Sequence, residues 1–145
     1  MDHLTRTQRS HLMASIRGKD THPEIAVRRV LHAMGFRFRL YRKDLPGKPD
    51  IVLPKLRTVI FVHGCYWHRH PCCKDGQRMP ATNAEVWAKK FQANVARDKK
   101  NWEALETLGW RVLVLWECQT RDNLALAQYL FTELVSEADG LTLPY

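Results

Sequence analysis

Residues 63–73 read HGCYWHRHPCC, three cysteines and three histidines in eleven positions, and a fourth cysteine, Cys118, follows an apolar run in WEC. Zinc takes four thiolate or imidazole ligands in a tetrahedron, and a site filled entirely by protein is structural, because it leaves no open position for catalysis. Cys65, His70, Cys72 and Cys118 would supply three sulfurs and one nitrogen, with Cys73 and His68 as competing local ligands that spacing does not separate. Such a site would pin an irregular loop onto the end of a distant strand. The alternative is four reduced thiols, some buried as small apolar groups. A zinc deaminase is set aside: it needs His-x-Glu and Pro-Cys-x-x-Cys, but Gly64 and Cys65 follow His63, and Cys72 and Cys73 follow Pro71.

A second chemistry lies just upstream. Pro49-Asp50 precedes a short apolar strand, and the chain then returns to Val62-His63. Mg²⁺ prefers oxygen ligands, keeps several waters and binds phosphate, so one Asp with a backbone carbonyl is enough protein ligation. Metal ions held this way can clamp the attacking and leaving oxygens of a phosphodiester. His63 and His68 flank the same loop and are suited to take a proton from water or to stabilise phosphate charge. Glu24, near the start of a helix, is a candidate to hold metal-bound water. Each has a plainer alternative: Asp50 capping the LPGKP turn, His63 as a satisfied structural imidazole, Glu24 complementing a helix dipole.

Tyr66 and Trp67 sit inside the cysteine and histidine loop, where large aromatics suit insertion between base steps. Met13, on a basic N-terminal segment, suits the same role from the other groove. The alternative for Trp67 is packing over the loop. Lys90, Asn94 and Asp98 recur every fourth residue on one helix face. Lys90 and Asn94 would meet phosphates or base edges, and Asp98 would orient His68 by a hydrogen bond. An ordinary solvated face is the alternative.

The elements that must position these groups follow from periodicity. Residues 1–22 are polar and basic and read as an arm that orders on a partner, leaving 23–145 as a single domain. Thr21 or His22 caps a helix with Pro23 in its first turn; Val27, Val30, Leu31 and Met34 form its buried stripe, and Gly35 ends it. Phe36, Phe38 and Leu40 alternate with basic residues as a half-exposed strand. Ile51–Leu53 is a second strand, and RTVIFV at 57–62 a third, buried on both faces. Thr82 and Glu85 form a capping box for a helix to about Leu108, with Trp87, Phe91, Val95, Trp102 and Leu105 as its core face. WRVLVLW at 110–116 is a fourth strand. Leu124, Ala127, Phe131, Leu134 and Val135 define a last helix. Helices before and after a mixed sheet predict an α/β sandwich.

Charge agrees with a polyanionic partner. The 145-residue chain carries a net +8, and the surplus is uneven: residues 1–48 hold 11 basic and 4 acidic side chains, residues 120–145 hold 1 and 4. Solubility alone is the alternative. No run of 18 apolar residues occurs, and the N-terminus lacks a signal-peptide core, so a cytoplasmic protein with reduced thiols is expected.

The arrangement LPGKPDIV, VIFVHGCYWHRHPC, PAT, W-x2-K-x3-N-x3-RD and GWRVLVLWEC resembles the very-short-patch repair (Vsr-type) mismatch endonucleases, over roughly residues 5–120. The resemblance implies a restriction-endonuclease-like core, a mixed sheet flanked by helices, with a structural zinc. It implies a Mg²⁺-dependent endonuclease, acting as a monomer, that nicks double-stranded DNA on the 5′ side of the T in T:G mismatches left by deaminated 5-methylcytosine. Coupling to a mismatch-repair mediator of the MutL type is part of the same implication. Carried over residue by residue, Asp50 binds Mg²⁺ together with the Val62 carbonyl, His63 and His68 act at the scissile phosphate, and Glu24 holds metal water. Cys65, His70, Cys72 and Cys118 bind zinc, and Tyr66, Trp67 and Met13 are wedges. Val62 stands where a hydroxyl residue is familiar, Tyr66 where a Phe is, and Cys73 is extra. Two other functions fit the same residues: a zinc-stabilised DNA-binding module without cleavage, and a restriction or homing-type nuclease on matched DNA.

Overall fold

The structure is a computed structural model, and it describes residues 5–8 and 20–135. Met13 and most of the 1–22 arm lie outside the described residues. Helix α1 spans His22–Ala33. Thr21 is its N-cap: its hydroxyl accepts from the Glu24 N–H, and Glu24 reaches back to the Thr21 N–H. Val27 and Leu31 are fully buried, each worth about 1.5–3 kcal/mol. Gly35 takes φ +85°, and this turn sends Phe36 into the core.

Four strands follow, in the order β1-β2-β3-β4: β1 Arg39–Leu40, β2 Ile51–Leu53, β3 Thr58–His63 and β4 Arg111–Trp116. The β1/β2 and β2/β3 pairs are antiparallel, and β3/β4 is parallel. The sheet is therefore mixed, as expected. The strand predicted over 36–40 shrinks to two exposed residues, because Phe36 packs inward and leaves only the edge pairing of Arg39 and Leu40. Helix α2 spans Ala84–Thr107 and α3 spans Asn123–Val135.

Two cores lie on opposite faces of the sheet. Val27 and Leu31 of α1 and Leu126, Leu130 and Leu134 of α3 pack on Ile51, Leu53, Ile60, Leu113 and Leu115. Leu105 of α2, with Trp110, packs on Val52, Val59 and Phe61. The alternation of strand residues between these sets is the period-two rule at work. Helices on both faces of a mixed sheet give the expected α/β sandwich.

Three local expectations fail. The capping box at Thr82 and Glu85 does not form: Asn83 is the N-cap, at φ +57°, with no side-chain cap bond. Val95 is 44% exposed, and the inner face of α2 carries Phe91, Asp98 and Leu105. Leu124 and Phe131 are 71% and 58% exposed, while Leu126 and Leu130 are buried. α3 is apolar around much of its circumference, so periodicity alone does not pick its inner face.

Candidate nuclease site and metal cluster

The parallel β3/β4 pair sets the geometry. Its register places His63 opposite Trp116, so the chain two residues beyond each strand end brings Cys65 and Cys118 to one place. A turn then folds the loop back: His70 N–H donates to the Cys65 carbonyl at 3.0 Å, and Cys73 N–H to the His70 carbonyl at 3.4 Å. Cys65, His70, Cys73 and Cys118 offer one donor atom each, all within 4.8 Å of one another. His70 Nδ1 lies 3.8 Å from Cys65 Sγ and 3.5 Å from Cys118 Sγ. Tetrahedral zinc with sulfur and nitrogen ligands separates them by about 3.5–3.8 Å, so the donor set fits that ion. The His70 ring stacks on Trp116 at 4.4 Å, which fixes its plane.

Cys72, the ligand the resemblance implied, is exposed and is not in the cluster; Cys73, the competing ligand, takes that place. The turn closing from His70 to Cys73 carries the second of the two thiols back over the histidine. Backbone N–H groups of Asp75 and Gly76 hold the Cys73 thiol below its ordinary pKa, which suits a thiolate ligand. Burial pushes the Cys65 thiol up to about 12. Gly76 belongs to the same cage, since a Cβ there would stand 2.0 Å from the His70 carbonyl oxygen.

On the other side of β3, Asp50 Oδ2 accepts from the Val62 N–H at 2.7 Å, rather than capping the LPGKP turn. The N–H and C=O of one strand residue point to the same edge, so the Val62 carbonyl is also directed toward Asp50. The Glu24 carboxyl lies near enough to act on the Asp50 carboxyl. Burial pushes the Asp50 carboxyl up to about 7, the neighbouring Glu24 adds to this, and the Val62 N–H and Arg28 oppose it. Asp50 therefore keeps its proton to higher pH than a free carboxyl, and a cation bound there would compete with that proton. Glu24 is 2% exposed; its Oε2 accepts from the Thr21 N–H and hydroxyl, both at 2.8 Å, and its Oε1 from the Tyr41 hydroxyl at 2.8 Å.

A third group gathers His63, His68 and Asp98. His68 Nδ1 lies 2.6 Å from Asp98 Oδ2, the pairing read from the spacing on α2. With the carboxylate accepting, His68 donates from Nδ1, and its Nε2 is left to exchange a proton. The His63 ring stacks on His68 at 3.8 Å, and its buried Nε2 has no hydrogen-bond partner among the described residues. Burial, helped by His68, lowers the His63 pKa to about 3 against the pull of Asp98. An unfolded imidazole protonates near pH 6.5. Between those values the unfolded chain binds the extra proton, so stability rises with pH. Lowering the pH from 7 to 5 is expected to cost about 2 kcal/mol at this group. Urea melts at both values should show that loss shrinking in His63→Gln; an unchanged loss would contradict it.

The aromatic pair does not stand alone. Tyr66 meets Phe91 edge-on at 5.3 Å, and Trp67 lies 5.8 Å from Trp87, so α2 backs both rings. Lys90 Nζ sits 5.0 Å over Trp87 and 5.9 Å over Trp67. Asn94 donates to the Trp67 carbonyl at 3.2 Å and accepts from Arg97, so its amide braces the loop. Thr21, one of the two expected caps, also holds Glu24, which the Thr-x-x-Glu spacing could have shown. Sequence reading missed Tyr41 and Trp116 as supports, because both depend on tertiary contact.

Residues 1–74 match the family model described as DNA mismatch endonuclease Vsr. The Type II nicking enzyme V.XorIIP of Xanthomonas oryzae pv. oryzae is 51% identical over 125 residues, covering 86% of this chain and 90% of the relative. The Type II nicking enzyme V.NmeAIP of Neisseria meningitidis is 43% identical over 136 residues, or 94% and 95% of the two chains. The DNA mismatch endonuclease Vsr of Escherichia coli is 41% identical over 129 residues, or 89% and 81%. Among the described residues no helix is long and apolar enough to cross a membrane. With half of the chain matched by the family model and most of it by relatives 41–51% identical, the chain belongs to the Vsr family of DNA mismatch endonucleases.

Proposed function

We propose that this DNA endonuclease nicks one strand of a duplex on the 5′ side of the T in T:G mismatches, the lesion left by deaminated 5-methylcytosine, and so starts very-short-patch repair. The observation that carries the reading is the Asp50–Glu24 pair beside Val62. A half-buried carboxyl, a buried one beside it and a carbonyl form an oxygen set of the kind Mg²⁺ takes. Mg²⁺ would supply charge neutralisation and a lowered pKa for bound water. Asp50 and the Val62 carbonyl would hold it, with Glu24 placing its water.

His68 is then the proton-transfer group: Asp98 fixes its ring through Nδ1, which leaves Nε2 for the proton. His63 stacks behind it and excludes water from that face. Tyr66 and Trp67, backed by α2, suit insertion at a base step weakened by mispairing. Zinc on Cys65, His70, Cys73 and Cys118 would clamp the loop that carries these groups. A MutL-type partner and action as a monomer belong to the same proposal.

Nicking of end-labelled T:G, C:G and T:A duplexes in Mg²⁺ tests it. The expected result is at least about a hundredfold preference for T:G, of the order of two mismatch-recognition contacts. Equal cutting of all three would favour a matched-DNA nuclease, and tight T:G binding without a nick a non-cleaving module.

A further inference from the structure

Glu24 is held from two directions. The Thr21 half is ordinary helix capping. The Tyr41 half is not local: it reaches Glu24 Oε1 from beyond β1, 17 residues along the chain. The Tyr41 oxygen itself receives Arg28 Nη2 at 2.6 Å and the Asp20 N–H at 2.7 Å. A phenol oxygen has two acceptor sites and one proton. With both acceptor sites engaged, the proton has to be donated. Glu24 Oε1 at 2.8 Å is nearer than Asp20 Oδ1 at 3.2 Å, and Asp20 Oδ1 already takes Arg28 at 2.9 Å. The backbone is strained to build this arrangement: Tyr41 has φ +50° and Asp20 φ +55°, each costing on the order of 1 kcal/mol outside glycine. Strain of this kind persists where the surroundings impose it, and it collects at functional sites.

We propose that Tyr41 is a positioning residue for the cation site: its hydroxyl, oriented by Arg28 and the Asp20 N–H, fixes the water-placing Glu24 beside the metal-binding Asp50. This rests on the reading of Asp50 and Glu24 as the cation site. Tyr41 touches neither substrate nor metal in this account; it removes the freedom of the Glu24 carboxylate to turn away from Asp50. Arg28 also brings positive charge close to the carboxylate pair.

The test is Tyr41→Phe in the full, zinc-loaded chain, with Mn²⁺ binding read from the spectrum of the unbound ion at fixed pH. Mn²⁺ affinity is expected to fall about tenfold, as for the loss of one hydrogen bond to a charged group. Half-saturating Mg²⁺ for nicking should rise by about the same factor. Duplex binding in EDTA and the nicking rate at saturating Mg²⁺ should stay near wild type. A merely structural role would lower the rate and leave half-saturation unmoved. Asp50→Asn separates the two claims. If it still binds Mn²⁺ like wild type, the cation-site reading fails. If it loses Mn²⁺ while Tyr41→Phe binds like wild type, only the role of Tyr41 is overturned. Should Tyr41→Phe not fold, Arg28→Lys keeps the charge but displaces the orienting donor from the Tyr41 oxygen; a shift of about threefold is expected, and no shift overturns the proposal.

Discussion

Asp50→Asn is expected to lower single-turnover nicking of a T:G duplex by about three orders of magnitude or more, with duplex binding in EDTA within about twofold of wild type. The substitution keeps the shape and an oxygen to accept the Val62 N–H, which in the native chain bonds Oδ2 at 2.7 Å. It removes the negative charge that would offset a divalent ion beside Glu24. It also removes a carboxyl whose ionisation burial and the neighbouring Glu24 disfavour. The variant should therefore be at least as stable as wild type in the absence of metal, and a loss of nicking cannot then be a loss of fold. Nicking within about tenfold of wild type would mean that Asp50 is not the ligand.

The second large effect concerns the cysteines. Cys118→Ser and Cys73→Ser are each expected to abolish stoichiometric zinc, whereas Cys72→Ser should retain about one zinc per chain. Cys118 and Cys73 share one cluster with Cys65 and His70, and Cys72 faces solvent. Few apolar contacts hold residues 63–83, so the ion would be their main tether to β4. Losing it should lower Tm by roughly 10 °C, several kcal/mol at the scale of a chain this long. Cys72→Ser should melt within about 2 °C of wild type. Nicking should fall with zinc, since His68, Tyr66 and Trp67 ride on the same loop. Elemental analysis and thermal melts of the three variants check this. Zinc lost from Cys72→Ser and kept in Cys73→Ser would return the site to the ligand set that the family resemblance implied.

That exchange shows where sequence reading stops. Cys65 and Cys118 were legible, because each ends a strongly apolar strand and parallel pairing brings such ends together. The choice between Cys72 and Cys73 depends on a single turn from His70, and vicinal residues carry no periodic signal. Helix α1 was legible because Pro23, Gly35 and the Val27–Leu31 stripe agree. α3 was legible as a helix but not by face, since Leu124 and Phe131 fit an apolar stripe as well as Leu126 and Leu130 do. Thr82 and Glu85 matched a capping box, yet Asn83 entered the left-handed region and started the helix itself. The spacing of Asp98 and the loop position of His68 did anticipate their 2.6 Å contact. Tyr41 carried no signal at all: its link to Glu24 exists only because β1 lies beside the start of α1 in space.

The central claim is cation-dependent, strand-specific nicking at the mismatch. Single-turnover nicking of a T:G duplex labelled on each strand in turn, in Mg²⁺ and in EDTA, tests it most directly. The expected result is one cut, on the T strand, 5′ of the mispaired T, in Mg²⁺ alone. Cutting that persists in EDTA, or that falls on both strands alike, would contradict the account.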